Sequence, residues 1–292
     1  MQALTIGARE HFADRLCSAI ESAGAPACVG LDPVLEKLPR AVRDAPTTDA
    51  DAIEHFCMGV LEAIDGVIPA VKLQSACFER LGAPGFAVLE RVANKAKTMG
   101  FIVIYDAKRG DIGVTAAHYT RAAFNVLGAD AVTVNPYMGP DAIEPFLSSE
   151  YADRGVFALV RTSNPGSDAV QSHKLEDGRT VAQMIADHTA TLGEANIGKS
   201  GYSNVGAVVA ATKPEDATAL RKRMPRQFFL VPGFGAQGGT AETVRALFNT
   251  NGQGALITAS RSVIDGFEEG DADWLGAVRK AAEGFAKSLE KI

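Results

Sequence analysis

The scarcities of this chain each remove a class of protein. Its 292 residues include four cysteines, Cys17, Cys28, Cys57 and Cys77, and no two stand in C-x-x-C spacing. A disulfide scaffold or a thiolate metal site is therefore not expected; reduced, buried thiols in a cytoplasmic protein are. No apolar run approaches the ~18 residues of a membrane helix. The N-terminal region carries Arg9, Glu10, Asp14 and Arg15 where a secretion signal would be apolar, so neither membrane nor export is expected. Positive charge is in deficit, with a net charge of −6, which argues against a general nucleic-acid binder. An anionic small molecule stays compatible if its site is locally positive. The histidines, His11, His55, His118, His173 and His188, lack metal-ligand spacing, and no G-x-S-x-G elbow occurs. No low-complexity linker divides the chain.

What is present is a regular alternation. Short apolar runs at 27–31, 66–71, 101–105, 131–134, 155–160, 205–210, 228–231 and 255–258 each end in polar residues. Helical patterns lie between them, at 49–65, 86–99, 115–127, about 140–148, 180–192, 214–224 and 240–249. The segment 49–65 spaces Ile53, Phe56, Cys57, Val60, Leu61 and Ile64 along one helical face, with Thr47 or Thr48 as its N-cap. A further helix at 8–22 precedes the first run, and a last one displays Leu275, Val278, Phe285 and Leu289. Eight strand–helix units predict an α/β protein, a (β/α)8 TIM barrel filling residues 1–292 as a single domain with an extra N-terminal helix. A doubly wound open sheet is the competitor, but it carries its glycine-rich turn in the first unit. The polar stretch 164–179 predicts a loop or lid.

The run at 101–105 leads straight into Asp106, Lys108 and Asp111. Asp106 and Lys108 are two residues apart and point to one side of an extended chain. In a barrel the C-terminal ends of the strands converge on one face, which gathers Asp32, Lys72, Asp106, Lys108, Asn135, Ser163, Gln237 and Arg261. Acids on either side should keep Lys108 protonated, which suits a proton donor better than a Schiff-base amine. Gly233-x-Gly235-x-x-Gly238 matches a dinucleotide fingerprint, but it falls in the seventh unit and lacks the later ribose-binding acid. A phosphate held by the loops after strands seven and eight, with Gln237 and Arg261, fits better.

Asp106-Ala-Lys108-Arg-Gly-Asp111-Ile-Gly, with Val71-Lys72-Leu-Gln74 before it and Pro232-Gly-Phe-Gly-Ala-Gln237-Gly-Gly after it, resembles the orotidine 5′-phosphate decarboxylases. Extended connections after strands one and five resemble the longer bacterial subgroup. The resemblance implies cofactor-free conversion of orotidine 5′-phosphate to UMP and CO2, with no metal. It implies that Lys108, Asp106, Lys72 and Asp111 are catalytic. It implies that Asp32, Thr115, Ser163, Asn164, Pro232, Gly235, Gln237 and Arg261 bind the nucleoside monophosphate, with Ser163 or Asn164 facing the pyrimidine. Asp111 and Thr115 would reach across a homodimer into the partner's site. Two alternatives stay open: a metal-dependent sugar-phosphate lyase of the same barrel superfamily, in which an acid stands at the Lys72 position, and a catalytically silent phosphate-ligand sensor.

Overall fold

The structure, a computed structural model, describes residues 10–44, 48–234, 239 and 241–290. Eight parallel strands close on themselves in sequence order. They are β1 (Ala27–Leu31), β2 (Ala70–Gln74), β3 (Ile102–Arg109), β4 (Ala131–Val134), β5 (Gly155–Arg161), β6 (Ser203–Val209), β7 (Gln227–Val231) and β8 (Ala255–Ala259). Closure comes from β1 pairing with β8, Cys28 opposite Thr258. Helix α1 (Phe12–Ala23) precedes β1, and α2 (Arg40–Arg43) and α3 (Asp49–Ile64) follow it. After β2 come α4 (Ser75–Glu79) and α5 (Gly82–Thr98), and after β3 comes α6 (Gly113–Arg121). Helices α7 (Asp168–Gln171) and α8 (Val181–Gly193) follow β5, α9 (Pro214–Arg223) follows β6, and α10 (Ala241–Arg245) follows β7. The last strand leads to α11 (Arg261–Ile264) and α12 (Trp274–Leu289). The expected TIM barrel with its additional N-terminal helix is the observed architecture.

Strand alternation explains the two layers of core. Cys28, Ala70, Ile102, Ile104, Ala131, Phe157, Phe228, Leu230 and Leu256 point into the barrel. Their neighbours Val29, Val71, Val103, Val132, Val231 and Ile257 point outward and pack under the helices with Ile53, Phe56, Val92 and Val278. Thr48 caps α3 in a reciprocal box with Asp51. Trp274 stacks on Phe56 with ring centroids 5.5 Å apart, joining α12 to α3. Leu275, expected on the packed face of α12, is exposed instead.

Helix α1 plugs the N-terminal end of the barrel. Phe12 and Leu16 enter the inner core, and Phe12 meets Phe157 edge-on at 5.9 Å. Any Cβ at residue 155 would run into the Phe12 ring, so glycine is required there. The Asp14 carboxylate accepts the backbone N–H groups of Lys199 and Ser200 at 2.9 and 2.7 Å, and Arg15 pairs with Asp130 at 2.6 Å. At the same end Arg221 is buried over the Phe229 ring. Its guanidinium donates to the carbonyls of Leu247, Met224, Gln227 and Gly254.

Four local expectations differ from the structure. The region 140–148 is a string of 3-10 turns, because Pro140 and Pro145 supply no N–H for an α-helix. The helix after β3 continues through a π-helical turn at Ala122–Val126. The stretch 164–179 is ordered into a 3-10 turn, α7 and a bridge between Lys174 and Thr180. Helix α10 stops at Arg245, and the chain turns through 249–253 with Asn249 N–H bonded to the Gln253 carbonyl at 2.8 Å.

Candidate active site

The inward-facing positions change character along each strand. Near the plug they are apolar; toward the C-terminal ends they become Asp32, Lys72, Asp106, Thr133 and Thr258, with Leu159, Val208 and Leu230 among them. These residues line a cavity of about 890 Å³ that opens at the C-terminal mouth, where (β/α)8 barrels carry their sites. Period-2 alternation thus delivers Lys72 from β2 and Asp106 from β3 to one place.

The predicted cluster is assembled. Lys72 Nζ lies 3.2 Å from an Asp32 oxygen and 3.0 Å from Asp106 Oδ2. The other Asp106 oxygen accepts from Lys108 Nζ at 2.7 Å. Gln74 donates to Oδ2 at 3.3 Å and the Thr133 hydroxyl to Oδ1 at 2.9 Å. The Lys72 side chain is only 9% exposed, whereas that of Lys108 is 47% exposed toward the cavity. Backbone strain places Lys108: its φ of 47° is the sole positive value for a non-glycine among the described residues. The β3–β4 register shifts between Tyr105 and Arg109. Such a conformation costs about 1–3 kcal/mol and persists only where the surroundings fix it. Thr133 helps to fix it, since its Oγ1 also accepts the Lys108 backbone N–H at 3.0 Å.

Burial and charge oppose each other here. Burial alone would lower the Lys72 pKa, yet Asp32 and Asp106 outweigh it and lift that pKa above the ordinary lysine value. Burial would likewise raise the Asp106 carboxyl, but Lys72 and Lys108 overcome it and hold Asp106 well below the usual carboxylate range. The centre is therefore a fixed row of alternating charges.

Behind this row, Arg109 pairs with Glu79 at 2.6 Å and donates to the Tyr105 hydroxyl at 3.1 Å. Its guanidinium also lies over the Tyr119 ring at 5.1 Å, which ties the end of β3 to α6. Asp111 and Thr115, at the start of that helix, do not line the chain's own cavity. Asp111 accepts the N–H of Ile112 at 2.8 Å.

The far wall contains Thr162, Ser163 and Asn164 at the end of β5, with Pro232 and Arg261 beyond them. Gly235 and Gln237 lie outside the described residues. Three residues with evident roles were assigned none from the sequence, although Gln74 stands in the Val71-Lys72-Leu-Gln74 motif. Gln74 and Thr133 bond Asp106; both occupy inward positions of apolar strands, which was the available signal. Arg161 is buried beneath the β5 loop. Among the described residues no group of three or more His, Cys, Asp or Glu side chains is arranged to hold a metal ion.

Known proteins are similar to this chain over most of its length. Residues 26–266 match the family described as orotidine 5′-phosphate decarboxylase / HUMPS. An orotidine 5′-phosphate decarboxylase of Rhodopirellula baltica is 42% identical over 292 aligned positions, covering 92% of this chain and 96% of its own. Another, from Roseiflexus castenholzii, is 42% identical over 260 positions, covering 87% of this chain and 88% of its own. Among solved structures, the OMP decarboxylase of Leishmania donovani is similar with a TM-score of 0.79 and 33% identity, over 96% of this chain and 98% of that one.

Proposed function

Because this chain belongs to the orotidine 5′-phosphate decarboxylase / HUMPS family and is a carboxy-lyase of pyrimidine biosynthesis, we propose that the Lys72–Asp106–Lys108 row performs its chemistry without a cofactor. Breaking the bond from C6 to the carboxylate leaves an electron pair in the plane of the pyrimidine ring, out of reach of its π system. With no electron sink, the pair must be stabilised by a preorganised charge. Lys108 supplies that charge and then transfers an Nζ proton to C6, giving UMP and a neutral amine. Asp106 sits beside the departing carboxylate and disfavours its bound ground state. Lys72 holds Asp106 in place, and Asp32 takes a ribose hydroxyl. Arg261, with Gly235, Gln237 and Pro232, receives the phosphate, whose binding energy is spent on orienting the distant reacting carbon.

The observation that carries this reading is the single Asp106 carboxylate held between two ammonium groups at 3.0 and 2.7 Å. Its test is the loss of absorbance of orotidine 5′-phosphate with and without EDTA. Equal rates are expected. A rate abolished by EDTA and restored by a divalent ion would favour the metal-dependent lyase.

The same reading makes the enzyme a homodimer with shared sites. Asp111 and Thr115 stand outside their own cavity, and between them Ile112 and Val114 are 48% and 75% exposed, apolar surface that a second copy would cover. Mixing inactive Asp111→Ala with inactive Lys108→Ala should restore part of the activity, because one hybrid site regains both groups. No recovery after confirmed subunit exchange would reject shared sites. We also read the chain as one catalytic domain, resident in the cytoplasm. No described helix is long and apolar enough to cross a membrane, and all four thiols are free. Burial pushes the Cys28 thiol up to about 12, which makes it an inert part of the core.

A further inference from the structure

We propose that Arg161 is a positioning residue for recognition of the pyrimidine ring, acting through the segment 162–172; this rests on the reading that Ser163 or Asn164 meets the base. Arg161 ends β5, and its side chain is 2% exposed, the bulkiest of the fully buried ones described. A guanidinium has five N–H groups, and each has an acceptor here. Nε donates to Asp216 at 2.6 Å. One terminal nitrogen donates to Asp168 at 2.5 Å and to Ser172 at 3.0 Å. The other donates to Ser167 at 3.0 Å and to Gln171 at 3.4 Å. Four of those five acceptors belong to the segment that follows β5; the fifth anchors it to the first turn of α9.

From there the contacts run back to the cavity wall. Gln171 Oε1 accepts the Thr162 N–H at 2.8 Å, and its Nε2 donates to the Thr162 hydroxyl at 2.9 Å. That hydroxyl in turn donates to Asn164 Oδ1 at 2.7 Å. Lys213 pins Asp168 from the other side at 2.7 and 2.9 Å. Ser163 and Asn164 are thus held between Thr162 and a turn that the Arg161 fork shapes. A leucine would fill the volume without desolvating a charge. What an arginine adds is a planar fork that accepts one arrangement of its partners. The phosphate end of the ligand, at Arg261, borders the same crevice as Asn164, Asp168 and Lys213, but no described hydrogen bond joins it to the Arg161 fork.

That separation supplies the test. Dissociation constants for UMP and for ribose 5-phosphate, which lacks the base, are measured by calorimetry on the full chain. Arg161→Met should weaken UMP by about tenfold or more while leaving ribose 5-phosphate within about twofold. Arg161→Lys, which can meet one carboxylate but not form the fork, should recover part of the loss. KM for orotidine 5′-phosphate should rise more than kcat falls. Asp168→Asn, at a side chain 53% exposed, should fold normally and shift UMP in the same direction by less; it carries the test alone if Arg161→Met does not fold. Equal weakening of both ligands, or unchanged UMP binding, would overturn the proposal. Ser163→Ala and Asn164→Ala separate it from the reading beneath it. If neither affects UMP, the base site itself is misplaced; if they do and the Arg161 and Asp168 variants do not, only the positioning role fails.

Discussion

At the closed end of the barrel Arg221 is buried among backbone carbonyls, while at the mouth Arg161, Lys72 and Lys108 are paired with carboxylate side chains. Those carbonyls belong to backbone around the starts of β7 and β8, so Arg221 acts as a clamp; burial without a carboxylate partner lowers its pKa. The carboxylates beside Lys72 and Lys108 border the cavity instead, so those charges can meet a ligand as well as each other. The same strands therefore separate stability, kept at the plugged end, from chemistry, kept at the open one.

Substitutions at the two ends should sharpen or break that separation. The largest effect is expected at the mouth: Lys108→Ala should lower the decarboxylation rate by at least about three powers of ten, roughly 4 kcal/mol of barrier. Its side chain is half in solvent and Lys72 still pairs with Asp106 at 3.0 Å, so the urea midpoint should move far less than the rate. A comparable loss of stability would show that the mouth is structural after all. At the plug, Phe12→Ala should cost about 3–5 kcal/mol by removing a buried ring, with kcat of the surviving folded enzyme unchanged. A wild-type midpoint, or a lost kcat at full folding, would contradict the division. The smallest effect concerns pH. Asp106 is held below the usual carboxylate range, so its contribution to stability is complete above the unfolded value of about 3.9 and fades as pH falls from there toward the folded value. The stability gap between wild type and Asp106→Asn should accordingly narrow in urea titrations taken below about pH 4. A gap that widens on acidification would reverse the assigned sign.

The barrel was legible because its strands end where charge begins. Asp32, Lys72, Asp106 and Lys108 could be gathered from spacing alone, since inward positions recur at every second residue. Thr133 and Gln74 were harder: a threonine in Ala-Val-Thr-Val reads as strand propensity, and only the fold reveals that its hydroxyl faces Asp106. The positive φ of Lys108 left no trace in the sequence, because glycine would be the ordinary choice there. Arg161 looked like the polar end of one more strand, as its partners Asp168, Gln171 and Asp216 come from later turns. The prolines at 140 and 145 were the signal against a helix there.

Closure of the sheet has a consequence for the chain as it is made. Ala27 pairs with Ile257, and α1 leans on residues 199 and 200, so elements made early wait for partners made much later. Until β8 emerges from the ribosome, β1 presents an unpaired apolar edge. Such long-range pairing slows folding and exposes intermediates to aggregation. Expression of this protein should accordingly gain from lower temperature or added chaperones, and truncation before residue 255 should yield insoluble material.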